Sequence, residues 1–214
     1  MVERPRRPHL FFEDLESGDA DRFVIERSHD GMHFEGIDLT GDRPRDRTLT
    51  ECLLTQPRLD DADLAGADLR EVRVEDGTAT AVRFASSRWR EVEIIGGRYG
   101  AIELYDADLA VVLLRGVRLD YLNLRGATCV DISFEDCHIG EIDLMQTTLT
   151  RADFKGTEVR DLNLTAATLG DVDLRGASLT TLTGLAGLRG ATVSPEQLHD
   201  LAPLLADEWG IAVG

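Results

Sequence analysis

From Phe34 to Leu179 every fifth residue is apolar with almost no exception, in one register that runs through thirty positions without insertion or deletion. The series begins Phe34, Leu39, Pro44, Leu49, passes through Trp89, Ile94, Tyr99 and Leu104, and ends Leu164, Leu169, Leu174, Leu179. A period of five fits neither the 3.6-residue helical repeat nor the two-residue strand repeat. It signals internal repetition, which decides architecture before any local reading does. The residue two places before each centre is also small or apolar in most copies, as at Ala62, Ala67, Val72, Val112, Leu122 and Ile132. The other three positions are mostly polar, charged or glycine. Two inward and three outward positions describe a short straight wall followed by a tight turn.

Two stretches strain this pattern. Around Pro44 the inward position two before Leu49 is Arg47, which a packed wall cannot bury cheaply; a bulge or loop is expected over residues 41–47. Trp89 and Tyr99 are oversized for a narrow interior. A bulge, a widened coil or an outward-turned ring is expected within residues 72–101.

The segments "LDDADLAGADLREV", "LYDADLAVVLLRGVRLDYLNLRGATC" and "TRADFKGTEVRDLNLTAATLGDVDLRGASL" resemble the pentapeptide repeat family, whose consensus is A-[DN]-[LF]-x-x. The likeness covers residues 32–181. It implies an all-β fold, a right-handed quadrilateral parallel β-helix with four pentapeptides per coil. At roughly 4.8 Å between stacked strands this gives about 7–8 coils and a shaft about 36 Å long. Residues 1–31 then read as an N-terminal cap that covers the first coil, with residues 1–8 left open to disorder. Residues 182–214 read as a C-terminal helical cap. There Ser194, Pro195 and Gln197 make a helix start with a capping box, Pro203 should split or kink the helix, and Gly210 should end it. The resemblance adds a second role for this helix, joining two protomers through Leu198, Leu201, Leu204, Leu205 and Trp209.

Composition narrows the function classes. The 214 residues hold 40 acidic and 23 Lys or Arg side chains, a formal net charge of −17. That argues against direct nucleic-acid binding and against anionic membrane surfaces. No apolar run is long enough to span a membrane, and "MVERPRRPHLFFEDLE" lacks the apolar core of a secretory signal. Cys52, Cys129 and Cys137 are odd in number, lack metal spacing and fall on inward positions. Cytoplasmic, reduced thiols are the expectation.

An enzyme needs polar groups converging in a cleft. An interior filled by Leu, Phe, Val and Ala leaves none along the shaft. The five histidines are scattered; His29 and His33 have metal spacing only on a helix. "IGGRYG" at residues 95–100 falls on a turn of the register, and paired carboxylates follow from the repeat's outward positions. No catalytic residue, cofactor or metal is therefore assigned.

The surface is what remains. Residues 32–181 carry 28 acidic and 17 basic side chains, with the excess of acid growing after Tyr99. Spread over the shaft, this is about half the charge density of duplex DNA. Several members of the family resemble B-DNA in shape and charge and bind DNA gyrase, protecting it from quinolones, so the resemblance implies a candidate acidic mimic surface: Asp106, Asp108, Asp120, Asp131, Glu135, Asp136, Glu141 and Asp143. Against it, Arg70, Arg73, Arg83, Arg88, Arg90 and Arg98 form a basic belt in mid-shaft. The register also places Ile95, Tyr105, Val111, Leu113 and Tyr121 outward within a short length, a candidate apolar band for a protein partner. Two readings stay open: a DNA mimic that binds a topoisomerase, and a scaffold or protein-binding module with no topoisomerase role.

Overall fold

The computed structural model describes residues 2–212. The chain winds into a parallel β-solenoid in which each strand pairs with the strands twenty residues before and after it. Trp89 lies between Leu69 and Leu109, and Phe134 between Leu114 and Phe154. Each coil has four faces, named here by the residues at their centres: the Trp89, Ile94, Tyr99 and Leu104 faces. One sheet carries the first two faces and a second sheet, from Ala62–Asp63 to Ala177–Thr183, the other two.

The corners explain how short strands turn through right angles. Between the Trp89 and Ile94 faces the turning residue adopts a left-handed conformation in coil after coil: Glu71, Glu91, Val111, Asp131, Arg151 and Asp171 have φ of +54, +56, +60, +60, +53 and +55°. Such angles are uncommon for non-glycine residues, and most so for a β-branched one such as Val111. The ladder hydrogen bonds on either side hold them there. Two further corner columns behave alike, and at Gly66, Gly96, Gly126 and Gly156 an aspartate of the coil below crowds the turn. At Gly126, φ +66°, a Cβ would stand 2.5 Å from the Asp106 carboxylate below.

The core is a set of stacked ladders along the axis. Phe134 and Phe154 stack face to face, ring centres 4.7 Å apart. Cys52, Cys129 and Cys137 are buried and unpaired; burial pushes the Cys52 thiol up to about 11 and the Cys129 thiol up to about 12.

The solenoid is longer than the register implied, about nine turns rather than seven to eight. Residues Glu16–Gly18 pair with Met32–Phe34, and Ala191–Thr192 pair with Val172–Asp173, so both end segments add rungs. Between the first rungs lies helix α1, Ala20–Ile25, capped by Asp19. Its Phe23 stacks on buried His29 and meets Phe34 edge-on, closing the lower end of the core.

Residues 41–47 hold no strand, yet no residue loops out: Gly41 and Asp46 still bond to Asp60 and Ala65 of the next coil. Arg47 is half-buried, and its guanidinium donates to the carbonyl of Val24 in the last turn of α1, 2.5 Å away, and to that of Arg45 at 3.0 Å. The bulge expected in residues 72–101 is absent. Trp89 and Tyr99 both point inward, 1% and 2% exposed, in regularly paired strands. Space for Tyr99 comes from small neighbours, Ala79 beneath it and Gly77, where a Cβ would lie 2.5 Å from the phenol oxygen. Trp89 sets its ring edge-on to Phe84 at 5.1 Å.

At the far end α2, Pro195–Glu208, starts in a complete capping box of Ser194 and Gln197, as the sequence predicts. Gln197 also ties it to the last coil by donating to the carbonyls of Leu174 and Ala177. Pro203 neither splits nor ends the helix, which runs on to Glu208. Its missing N–H falls at an exposed position. Gly210, φ +65°, ends it, with Ile211 and Gly210 donating to Ala206 and Asp207 in a Schellman arrangement. No helix among the described residues is long and apolar enough to cross a membrane.

A candidate interaction surface on the solenoid wall

The outward residues of the repeat should be wet, and on three faces most are. The corner column and the adjoining outward column of the Ile94 face depart from this. Asp131 and Ser133 are fully buried, Leu113 is 2% exposed, Val111 6% and Glu93 8%. What covers them is the chain's own N-terminal arm.

Residues 3–12 run up the outside of the shaft toward its C-terminal end, read from residue 12 back to residue 3. Phe12 lies under the Arg73 guanidinium, 5.4 Å from its ring centre. The backbone N–H of His9 donates to Glu91 at 3.1 Å, that of Arg6 to Asp131 at 3.1 Å, and that of Glu3 to Asp171 at 3.4 Å. The Arg6 guanidinium also binds Asp131 at 2.7 Å. Arg7 bridges Glu135 and Asp153, each at 3.0 Å. Pro5 is buried, and having no N–H it leaves no orphaned donor there.

The electrostatics follow from this geometry. Burial alone would raise the Asp131 carboxyl, but Arg151, the Arg6 N–H and the Arg6 guanidinium outweigh it and hold the group well below the usual carboxylate range. Burial likewise opposes, and Arg115 and Arg7 overcome, at Glu135, which is lowered. At Asp153 burial wins and the group is raised despite Arg7.

The candidate acidic surface is therefore not one surface. Asp131 and Glu135 lie in the track of the arm. Asp143, 1% exposed, is held by Arg125 at 2.5 Å, and Asp108 by Arg90 at 2.5 Å. Asp106, Asp120, Asp136 and Glu141 make no ion pair among the described residues. The last three frame the Tyr99 face, whose central outward column holds Arg98 and Arg118, also without ion pairs there. The basic belt is largely neutralised on the wall itself, by Arg70–Asp68, Arg73–Glu93, Arg83–Glu103 and Arg88 and Arg90 with Asp108.

The candidate apolar band is dispersed too. Val111 and Leu113 face outward as the register places them, yet they are sealed under the arm. Ile95, Tyr105 and Tyr121 are half-buried, with Tyr121 donating to Asp143 at 3.3 Å. On α2, Leu201 is 6% exposed and turned in, and Leu205 is half-buried. Leu198, Leu204 and Trp209 stand 51%, 43% and 76% exposed, with Ile211 just beyond. No group of three or more His, Cys, Asp or Glu arranged to hold a metal occurs among the described residues.

The arm is what sequence reasoning missed. Its signal lies outside the five-residue register: Pro5 and Pro8 three residues apart among arginines, set against acids forty residues apart at positions 91, 131 and 171.

Fold and wall together define a solenoid repeat protein whose polar residues lie on the outer surface. In register and architecture the chain resembles the pentapeptide repeat proteins. No protein-family model matches it, and no curated protein does. Among solved structures it is similar to QnrB1, a plasmid-mediated fluoroquinolone resistance protein, with 20% identity over 96% of this chain and 99% of that chain and a TM-score of 0.40. It is also similar to HetL from the cyanobacterium Nostoc sp., a pentapeptide repeat protein involved in heterocyst differentiation regulation. That match has 18% identity over 79% of this chain and 92% of that chain, with a TM-score of 0.31.

Proposed function

We propose that this chain is a non-enzymatic, cytoplasmic protein-interaction module that works by presenting a rigid charged wall to a protein partner. The observation that carries the reading is the packed interior: the coil ladders fill the shaft with apolar side chains and turn the polar groups outward.

The finer reading is a DNA mimic that binds DNA gyrase or a related topoisomerase and modulates it. Supporting it are the net charge of −17 and the unpaired acids Asp106, Asp120, Asp136 and Glu141 on a straight rod. Its test is a gyrase supercoiling reaction titrated with the protein, with and without a quinolone. Inhibition or protection at micromolar protein supports the reading, and neither effect removes it. A scaffold with no topoisomerase role is favoured by Arg98 and Arg118, which place two guanidiniums among those acids.

The module is a homodimer in this reading, joined through the exposed Leu198, Leu204 and Trp209 that flank the cap-facing stripe of α2. Leu201 and Leu205 serve the cap instead. Light scattering that returns only a 23.6 kDa species at high concentration contradicts the dimer.

A further inference from the structure

We propose that the acidic track beneath residues 3–12 is a docking site for an extended, arginine-bearing polyproline II segment of another protein, and that the chain's own arm fills it as an internal stand-in. The proposal rests on the interaction-module reading and is independent of any topoisomerase.

The first support is a match of periods. The arm's N–H donors, Glu3, Arg6 and His9, recur every three residues, and their acceptors, Asp171, Asp131 and Glu91, recur every forty. Three residues of polyproline II advance about 9.3 Å, and two coils at about 4.8 Å advance about 9.6 Å. From residue 3 to residue 9 both scales reach about 19 Å, so the two repeats stay in step along the whole contact. The spacing of the acceptors belongs to the wall. Any segment of this conformation laid in the same direction meets the same acceptors.

The second support is what the track selects. In polyproline II, with three residues per turn, Pro5 and Pro8 would share one side, and Pro5 is buried. Arg4 and Arg7 share another side, beside the second acid column of Asp153 and Asp173. Arg7 reaches Asp153, and a cleft of about 530 Å³ beside Pro5 is lined by Arg4, Arg7, Glu135, Asp153 and Asp173 among others. The occupant chemistry is thus proline at every third position with arginine beside it.

The third support is that the arm can leave without wrecking the wall. It adds no strand to the sheet; side chains and carboxylate-bound N–H groups hold it. The Arg6 side chain is 70% exposed and that of Arg7 36%, so water can take over both guanidiniums when the arm lifts. Asp131 keeps Arg151, Glu135 keeps Arg115 and Asp173 keeps Arg175 when the arm is gone. The empty track stays assembled. Being tethered, the arm competes at an effective concentration of about millimolar, which sets a threshold for any outside segment.

The test uses the full chain with Arg4→Glu, Arg6→Glu and Arg7→Glu, which repels its own arm, and a fluorescein-labelled peptide VERPRRPHLFF. Saturable binding at least about tenfold tighter than to the unaltered chain is expected, since the tethered competitor is removed. Adding Glu91→Gln and Asp171→Asn, or scrambling the peptide so that prolines and arginines lose their spacing, should weaken it about fivefold or more. No saturation up to about 1 mM, a bound of about −4 kcal/mol, overturns the proposal. Equal binding of the scrambled peptide overturns it as well. If circular dichroism shows the triple variant unfolded, Arg6→Ala with Arg7→Ala takes its place. Light scattering on a mixture of variant and unaltered chains, both carrying Leu198→Asp and Trp209→Asp so that α2 cannot pair, checks for arm exchange; a dimer that neither chain forms alone would assign the track to a second copy and overturn the partner assignment. The supercoiling assay reads the same samples separately, so loss of one result leaves the other standing.

Discussion

Arg6 and Asp131 meet twice across 125 residues of sequence: the Arg6 N–H donates to Oδ1 at 3.1 Å and its guanidinium to Oδ2 at 2.7 Å. Arg151 grips the same carboxylate from the wall at 2.7 and 3.0 Å. The two arginines are not equivalent. Asp131→Ala strips a buried partner from both and should lower stability by about 1.5–3 kcal/mol, the range for hydrogen bonds to charged groups. Arg6→Ala, acting on a mostly exposed side chain, should cost less than about 1 kcal/mol. Urea unfolding of the two variants checks the order.

Acid should weaken the fold through this same carboxylate. A folded-state value below the unfolded one gives a stabilisation that is complete above the unfolded value, about 4, and is lost as pH falls through the folded value. Asp131, Asp63, Glu135 and Asp173 are all shifted this way. Asp153, raised mainly by burial, has the opposite sign: its contribution is present at low pH and lost as pH rises through its folded value. Lowered carboxyls outnumber the one that is raised, so the urea midpoint should fall steadily below about pH 4. Asp131→Asn should flatten that fall.

Tyr99 carries a buried hydroxyl with no hydrogen-bond partner among the described residues. Tyr99→Phe should therefore be neutral or stabilising by about 1 kcal/mol, since it removes an unsatisfied group while keeping the ring. Gly77→Ala should cost about 1–3 kcal/mol, because the new methyl meets that hydroxyl. In the double variant much of this cost should disappear, a coupling that thermal unfolding of all four proteins measures.

On α2, Leu201→Ala should lower stability by about 2 kcal/mol or more by opening the cap. Leu198→Asp with Trp209→Asp should leave the melting temperature of dilute protein nearly unchanged and abolish its rise with protein concentration. A concentration-independent melting temperature in the unaltered chain removes the dimer.

The five-residue period made the solenoid and its inward ladders legible because burial in a coil repeats with the covalent chain. It could not show how misfits are absorbed. Arg47 finds a helix carbonyl supplied by α1, and Tyr99 finds space supplied by Gly77, a coil away; both answers lie twenty or so residues from the question. The interaction surface was less legible still. Val111 and Leu113 were placed outward correctly, but outward does not mean wet when another part of the chain lies over the wall. The arm repeats every three residues and its acceptors every forty, so neither appears in a search for fives.

Those unequal periods set different rules for change. Losing or gaining five residues in the shaft would leave each inward position filled and simply rotate everything beyond it by a quarter turn. The solenoid would survive, but Asp131 and Asp171 would no longer line up with Glu91. The fold can therefore vary its length in fives, while the track beneath the arm tolerates only pairs of coils, forty residues at a time.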